Sequence, residues 1–493
     1  MPSQSISPAA PVEMPKAVRL VSIDALRGLV MALMAFELLG NPQWLTETFP
    51  DSRICEWIAC HAVHVAWRGC SLHDLIQPTF SLLVGVSCAY SIASRRSKGH
   101  GPRGILLHAF WRALVLVALG VWVRSLGAPM PNWTFEDTLA QIGLGYVPLV
   151  WIALTFKPRG VIALASGLMA GYWLLFACWP LPDGASGFAS HWTPAANPAQ
   201  AFDRWFLPHF PGKETYYGNG YGVLNFIPTL GTMLIGLAAG LWLRACGNDH
   251  RRMLRLLLPT ALALLAAGWL LDVSGVCPMI KRIWTLSFAL WSGGLALTAL
   301  GALYWLADLR GWRRWLFPLT VVGMNSIAAY LLVDIQHASP FVRTALAPVV
   351  TPAREALERR LEDRLQAETA GPLVILNAEY GVRGDPDARA DVTAAVAKAV
   401  EDNSRRLEIT NDLLGGADPA PGRDKHLTVS YTVAGQSRRA TAPEYATLTL
   451  PAAPAAAGVL AKRLPPLFAA ACELLAIWLI LLWMHRRRIY LKI

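Results

Sequence analysis

The chain has 493 residues, 54% of them hydrophobic and 16% charged, with a net charge of +11 and a mean hydropathy of +0.38. That balance is too apolar for a soluble protein of this length, and the basic residues stand in short runs between apolar segments (Arg95-Arg96-Ser-Lys98, Arg251-Arg252, Arg313-Arg314, Arg486-Arg487-Arg488), which excludes a nucleic-acid-binding reading of the positive charge. Eight cysteines without metal-ligand or redox spacing give no reason to expect a zinc site or a thiol–disulfide motif.

Residues 1–18 are rich in Pro, Ala and Ser, with no basic region leading into an apolar run, so a disordered cytoplasmic tail and no cleavable signal peptide are expected. A membrane-crossing helix needs about 20 mostly apolar residues. Ten segments meet that need, near 22–40, 75–93, 104–123, 138–156, 160–181, 222–243, 253–272, 284–306, 315–333 and 464–484. The expected fold is therefore an all-α polytopic membrane protein with ten or eleven transmembrane helices and a small inserted α+β, β-rich extracytoplasmic domain. With the N-terminus inside, most Lys and Arg fall in inner loops and the outer loops hold few, among them Arg53, Arg68, Arg124, Lys281 and Arg282. Both termini are thus predicted to be cytoplasmic, with residues 335–463 outside.

The first segment opens with Ser22-Ile-Asp24-Ala-Leu-Arg27-Gly28, whose two charges share one helix face. Charges at that depth are paired or face a polar cavity. Asp24 and Arg27 are either a self-satisfied pair or a contact for the phosphates of a cytoplasmic donor. The second segment follows a polar loop that begins at His64 and contains Trp67, Gly69 and Asp74. Imidazole titrates closest to neutrality, so His64 at a membrane boundary is a candidate proton acceptor, nucleophile or acyl carrier. Asp74 either orients that imidazole or is a helix N-terminal acid favoured by the dipole. Cys55, Cys60 and Cys70 surround this loop, where an oxidising compartment would permit a disulfide of undetermined pairing.

Further along, Asn225 in Tyr221-Gly-Val-Leu-Asn225-Phe-Ile-Pro228, and Lys281, Arg282 and Trp284 in Cys277-Pro-Met-Ile-Lys281-Arg-Ile-Trp284-Thr285, place amide, cation and indole groups at the outer face. They suit sugar binding, or else snorkelling and interfacial anchoring. Asn325, in mid-segment, is a ligand or an interhelical hydrogen bond, and Glu473 in the last segment is open in the same way.

Between the ninth and tenth segments the composition becomes that of a soluble domain, with a charged helical lead-in from 353 to 370. Strands are expected at Leu373–Gly381, Leu427–Val433 and Ala446–Leu450, a short helix over Asp391–Val400, turns over Gly415–Gly422 and a linker at 451–458. The domain boundaries read from this are a tail at 1–18, a membrane core at 19–345, an inserted domain at 353–458 and a last helix with basic tail at 464–493.

These residues together resemble the heparan-α-glucosaminide N-acetyltransferase family of transmembrane acyltransferases and its bacterial relatives. The matching features are Arg19 with Ser22–Gly28, His64-x-x-Trp67-x-Gly69 with Asp74-Leu-Ile-x-Pro78, Leu139-x-Gln141-Ile-Gly143, Leu224–Pro228, Lys281–Thr285, Gly323–Ile327 and the basic C-terminal tail. The resemblance implies transfer of an acetyl group from cytoplasmic acetyl-CoA across the bilayer to a sugar amine or hydroxyl. It implies His64 at the family's active-site histidine position; beside it, Asp74 is expected to be catalytic, Asp24 and Arg27 to meet acetyl-CoA, and Trp67, Asn225, Lys281, Arg282, Trp284 and Asn325 to surround the acceptor. The chain departs from the family at Phe36-Glu37-Leu38-Leu39, where the lysosomal enzyme has a catalysis-linked Asn. Residues 373–450 resemble, more weakly, a module at the C-terminus of a mitochondrial DnaJ-like protein, through Tyr380-Gly381, Asp391-Val-Thr393, Asp418-Pro419 and Lys425-x-Leu427-x-Val-x-Tyr431. The expected partners are membrane lipid, acetyl-CoA and an extracytoplasmic sugar or glycan, with no nucleic acid, no metal, and homo-oligomerisation left open. The expected location is a bacterial inner membrane. The alternative is a non-enzymatic transporter or anchor that presents 373–450 to a surface partner.

Overall fold

The computed structural model describes residues 20–181, 186–194, 197–211, 221–247, 249–369, 373–401, 406–414, 416, 418–433, 435–450 and 455–491. The expected tail at 1–18 lies outside them. In chain order the helices are α1 (Val21–Ala35), α2 (Trp44–Thr48), α3 (Arg53–His61), α4 (Ile76–Ser97), α5 (Pro102–Ser125), α6 (Thr138–Thr155), α7 (Pro158–Ala177) and α8 (Pro198–Phe206). They continue with α9 (Phe226–Cys246), α10 (His250–Val273), α11 (Leu286–Tyr304), α12 (Phe317–Met324), α13 (Ser326–Ala338), α14 (Phe341–Thr369), α15 (Thr393–Glu401) and α16 (Ala455–Arg486). The chain divides into two compact units, one of residues 1–38, 60–342 and 474–493, the other of 39–59 and 343–473.

Local chemistry sets the helix ends. The Asp137 carboxylate accepts from the Leu139 N–H at 2.8 Å to cap α6, and Asp249 accepts from Arg252 at 3.0 Å to cap α10. Pro stands in the first turn of α5 and α7, where its missing N–H has no intrahelical partner to lose. Among the described residues, eight helices are long and apolar enough to cross a membrane, or nine if α12 and α13 form one span.

Two of the ten expected segments differ in form. The first is 15 residues of α-helix followed by a 3-10 turn over Phe36–Leu39, shorter than a full crossing. The ninth is broken by 83° between α12 and α13, because Asn325 leaves helical geometry at φ −122°, ψ 38°. The expected linker at 451–458 lies partly outside the described residues, and its second half is the start of α16.

In the helical unit, α1 lies directly on α12. A Cβ on Gly28 would come within 1.8 Å of the Leu319 carbonyl oxygen, and one on Gly323 within 1.8 Å of the Asp24 carbonyl oxygen. Two facing glycines thus bring the backbones together, as small residues do where apolar lipid offers no hydrophobic drive to association. This fixes the height of Asp24 and Arg27 against the broken span.

The second unit contains the α+β module. Strands β1 (Leu373–Val382), β2 (Arg389–Asp391), β4 (Lys425–Val433) and β5 (Gln436–Pro443) form an antiparallel sheet in the order β2-β1-β4-β5, and β3 (Arg406–Glu408) pairs with β6 (Thr447–Thr449). Alternate residues of β4, Leu427, Val429, Tyr431 and Val433, are buried with Tyr380, Val392 and Val396 in one core, the period-2 pattern of a sheet covered on one face. The Tyr380 hydroxyl donates to Glu444 at 2.7 Å, and Lys425 pairs with Asp418 at 2.9 Å. Strand β5, Gln-Ser-Arg-Arg-Ala-Thr-Ala-Pro, is not among the expected strands: it buries only Ala440 and shows little apolar alternation. Also in this unit, Arg343 of α14 pairs with the buried Glu473 of α16 at 2.6 Å.

Candidate active site

The loop before α4 is organised by one carboxylate. Asp74 is fully buried, and its Oδ2 accepts from the Ser71 N–H and Ser71 Oγ, both at 2.9 Å, and from the Val65 N–H at 3.3 Å. Its Oδ1 lies 2.8 Å from His64 Nδ1 and 3.3 Å from Lys281 Nζ. These are all donors, the complement a carboxylate needs away from water.

The arrangement decides the His64 tautomer. Lys281 Nζ also approaches His64 Nδ1, at 3.0 Å, but an ammonium only donates, and a bare Nδ1 would oppose its lone pair to Asp74. The network therefore assigns the proton to Nδ1, donated to Asp74, and leaves the lone pair on Nε2, 3.5 Å from Lys281 Nζ. The His64 side chain is 42% exposed. Burial of the rest of the ring lowers its pKa below the usual imidazole value, the Lys281 charge and His73 push the same way, and the bond to Asp74 opposes them. The site holds a neutral imidazole with one available nitrogen.

Lys281 comes from a loop that is clipped to the His64 loop. Gly69 N–H donates to the Met279 carbonyl at 2.8 Å, Arg68 pairs with Asp272 at 3.1 Å, and Asp272 accepts from Met279 N–H at 2.8 Å. Trp284, at φ 47°, turns this loop back and is almost fully buried, with its indole N–H donating to Thr232 at 3.1 Å. Asn225 is likewise buried and donates to the Arg282 carbonyl at 2.7 Å.

A second imidazole adjoins the first. The His73 and His64 ring centroids are 4.4 Å apart, and His73, itself buried, has its Nε2 2.5 Å from Glu37 Oε1.

Of these groups, Glu37, His64 and Lys281 border a cavity of about 310 Å³, termed outer because the sequence topology expects the His64 loop outside. Its wall includes the acids Glu37, Glu136 and Asp334, the cations Lys281 and Arg124, and the phenol of Tyr330. Tyr330 donates to the buried Asp137 at 2.7 Å, and Arg124 pairs with the same carboxylate at 3.4 Å. An inner cavity of about 450 Å³ is lined by Asp24, Arg27, Arg95, His108 and Arg112 among others. There Arg27 lies 3.5 Å from Asp24 and also donates to Ser87 Oγ, while Arg112 sits 4.7 Å over the Tyr146 ring.

The two cavities share walls. Helix α4 gives Gln77 to the outer and Ser87 to the inner, α6 gives Thr138 and Tyr146, and α13 gives Tyr330 and Ile327. At 1.5 Å per residue, Gln77 and Ser87 are roughly 15 Å apart along α4.

Of the residues expected from sequence, His64 and Lys281 line the outer cavity with Asp74 bonded to both, and Asp24 and Arg27 line the inner one. Trp67, Asn225, Arg282 and Trp284 are not among the outer cavity's lining residues. Trp67 donates to the Trp192 carbonyl at 2.9 Å, Arg282 lies 5.7 Å over the Tyr221 ring, and Asn225 and Trp284 brace the Lys281 loop. Asn325 stands at the helix break, accepting from the Leu491 N–H at 3.4 Å, beside inner-cavity residues Met324 and Ser326. Sequence reasoning missed His108, Arg112, Asp334 and His73. Titratable groups inside apolar segments carry a functional signal, which His108, Arg112 and Asp334 would have given.

Residues 350–451 match the family described as DnaJ-like protein C11, C-terminal. The chain is similar to the heparan-alpha-glucosaminide N-acetyltransferase of Homo sapiens, 24% identical over 365 residues, covering 64% of this chain and 52% of that protein. It is also similar to the protein of the same name from Mus musculus, at 23% over 365 residues, covering 64% and 53%. The chain spans about half the length of the curated relatives it matches.

Proposed function

We propose that the chain is an integral-membrane acyltransferase that moves an acetyl group from cytoplasmic acetyl-CoA to a sugar amine or hydroxyl on the extracytoplasmic side. The observation that carries this reading is the His64 imidazole, oriented by the buried Asp74 carboxylate at 2.8 Å. His64 lines a polar cavity whose helices also line a second, strongly basic one. The similarity to N-acetyltransferases supports the reaction class.

In this reading the phosphates of acetyl-CoA meet Arg27, Arg95, Arg112 and His108, where guanidinium groups suit phosphate geometry. The thioester reaches along α4 and α6 toward His64. His64 Nε2 takes the proton of the attacking acceptor, or carries the acetyl group itself, as the thioester C–S bond breaks and CoA leaves as the thiolate, and Asp74 offsets the imidazolium charge. The Lys281 ammonium is placed to stabilise a developing oxyanion. Glu37, Glu136 and Asp334 suit an acceptor that arrives as an ammonium. Both termini are cytoplasmic in a bacterial inner membrane, residues 335–463 lie outside, and the module at 373–450 serves binding or scaffolding.

Calorimetry of acetyl-CoA binding to the detergent-purified chain tests the reading, followed by transfer to a panel of amino sugars by wild type and His64→Ala. Saturable binding with turnover lost in His64→Ala is expected. Absence of binding in a monodisperse sample, or equal turnover in the variant, overturns it in favour of a transporter or anchor.

A further inference from the structure

We propose that Glu37, His64 and His73 form a site for one transition-metal dication, Zn²⁺ by ligand preference, at the edge of the outer cavity, which Glu37 and His64 line. Each residue offers one ligand atom, and those atoms lie within 4.8 Å of one another. Two imidazoles and a carboxylate make a three-ligand set that leaves a fourth position to water, the composition of an open zinc site. Hard ions such as Mg²⁺ or Ca²⁺ would call for oxygen ligands instead.

The surroundings fit a ligand role for these atoms. Asp74 holds His64 Nδ1 at 2.8 Å, the carboxylate–imidazole support that orients a metal-binding ring and raises its donor strength. His73 is buried and held in place, whereas the Glu37 side chain is 39% exposed and is free to open the 2.5 Å contact with His73 to admit an ion between them. Lys281 Nζ lies 3.5 Å from His64 Nε2 and opposes a second cation there, although Asp74 at 3.3 Å balances its charge. Glu37 is thus the carboxylate left to offset the metal. The ammonium makes the ion exchangeable rather than permanent.

An ion bound here occupies the lone pair that the proposed transfer needs, so Zn²⁺ acts as a reversible inhibitor. That consequence rests on the acyltransferase reading, whereas the site itself does not. His64 and His73 stand nine residues apart on the loop before α4, and Glu37 joins them from the end of the first segment.

Full-length, tag-free protein in detergent, stripped with a chelator and titrated with Zn²⁺ by calorimetry, tests the site. Co²⁺ absorption reports imidazole coordination. One ion per chain is expected, with affinity weakened by about tenfold or more in Glu37→Gln, His73→Ala and His64→Ala. Thermal unfolding of each variant checks that its fold is retained, and Glu37→Gln, at the exposed ligand, carries the test if His73→Ala does not fold. No stoichiometric ion in the wild type, or wild-type affinity in folded Glu37→Gln, overturns the proposal. The titration uses neither acetyl-CoA nor acceptor. Zn²⁺ binding without any His64-dependent turnover therefore sinks only the acyltransferase reading, and turnover without Zn²⁺ binding sinks only the metal site.

Discussion

The carboxylate of Asp74 lies 2.8 Å from Nδ1 of His64, and no part of that carboxylate's residue reaches solvent. Asp74→Asn keeps the volume and can still accept from Ser71, but it turns an amide toward His64 and frees the ring to adopt the other tautomer. Turnover is expected to fall by about 10²-fold or more with little change in acceptor KM. Steady-state kinetics on folded variant and wild type checks this, and an unchanged kcat would remove Asp74 from the chemistry.

The pH profile follows from the lowered pKa of His64. A depressed pKa means that the proton is lost at lower pH, so the basic form is already abundant at the ordinary imidazole value of 6.5. The acid limb of kcat/KM is expected below that pH. Lys281→Met removes a charge that disfavours imidazolium, so the same limb should move upward. A limb that stays fixed or moves down contradicts the assignment.

The inner cavity makes a separable prediction. Arg95→Ala and Arg112→Ala each remove a charge from the proposed phosphate site and are expected to weaken acetyl-CoA binding by about tenfold. Comparison with a donor lacking the 3′-phosphate identifies which arginine serves that group. Unchanged donor affinity in both variants would move the donor elsewhere.

Asp203 offers a test of stability against pH. It is buried and accepts only from the Val223 N–H among the described residues, at 3.0 and 3.2 Å from its two oxygens, and burial raises its pKa from 3.8 to about 7. With the folded value above the unfolded one, the neutral acid's contribution is complete below the unfolded pKa. It declines as pH rises toward the folded pKa, by about 1.4 kcal/mol per unit at most. Asp203→Asn does not ionise, so its melting temperature relative to wild type should rise between pH 5 and pH 8. A constant difference would mean that the carboxyl does not titrate on folding.

Gly28→Ala places a methyl group 1.8 Å from the Leu319 carbonyl oxygen, which forces α1 and α12 apart. A loss of several degrees in melting temperature is expected, with weaker acetyl-CoA binding because Arg27 moves with its helix. An unaltered melting profile would show that the two helices pack otherwise.

Much of this molecule was legible in its sequence. Long apolar runs, Pro in first turns and Asp caps are local properties, so α4 to α7 and α9 to α11 fall where hydropathy places them, and the alternation of Leu427, Val429, Tyr431 and Val433 gives β4 without tertiary information. His64 and Asp74, ten residues apart, lie on one loop. The break at Asn325 could not be read, because the residues on both sides are apolar and nothing in the period marks a bend. What only the tertiary structure decided is the company these residues keep. Lys281 reaches His64 across 217 positions of chain, and Glu37 joins the same group from the end of the first segment. Helices that are apolar on every side do not reveal in sequence which face turns inward, so the groups that share a cavity are set by packing between distant segments. Asn225 and Trp284, which the sequence offered as acceptor contacts, are held by that packing beneath the loop that carries Lys281.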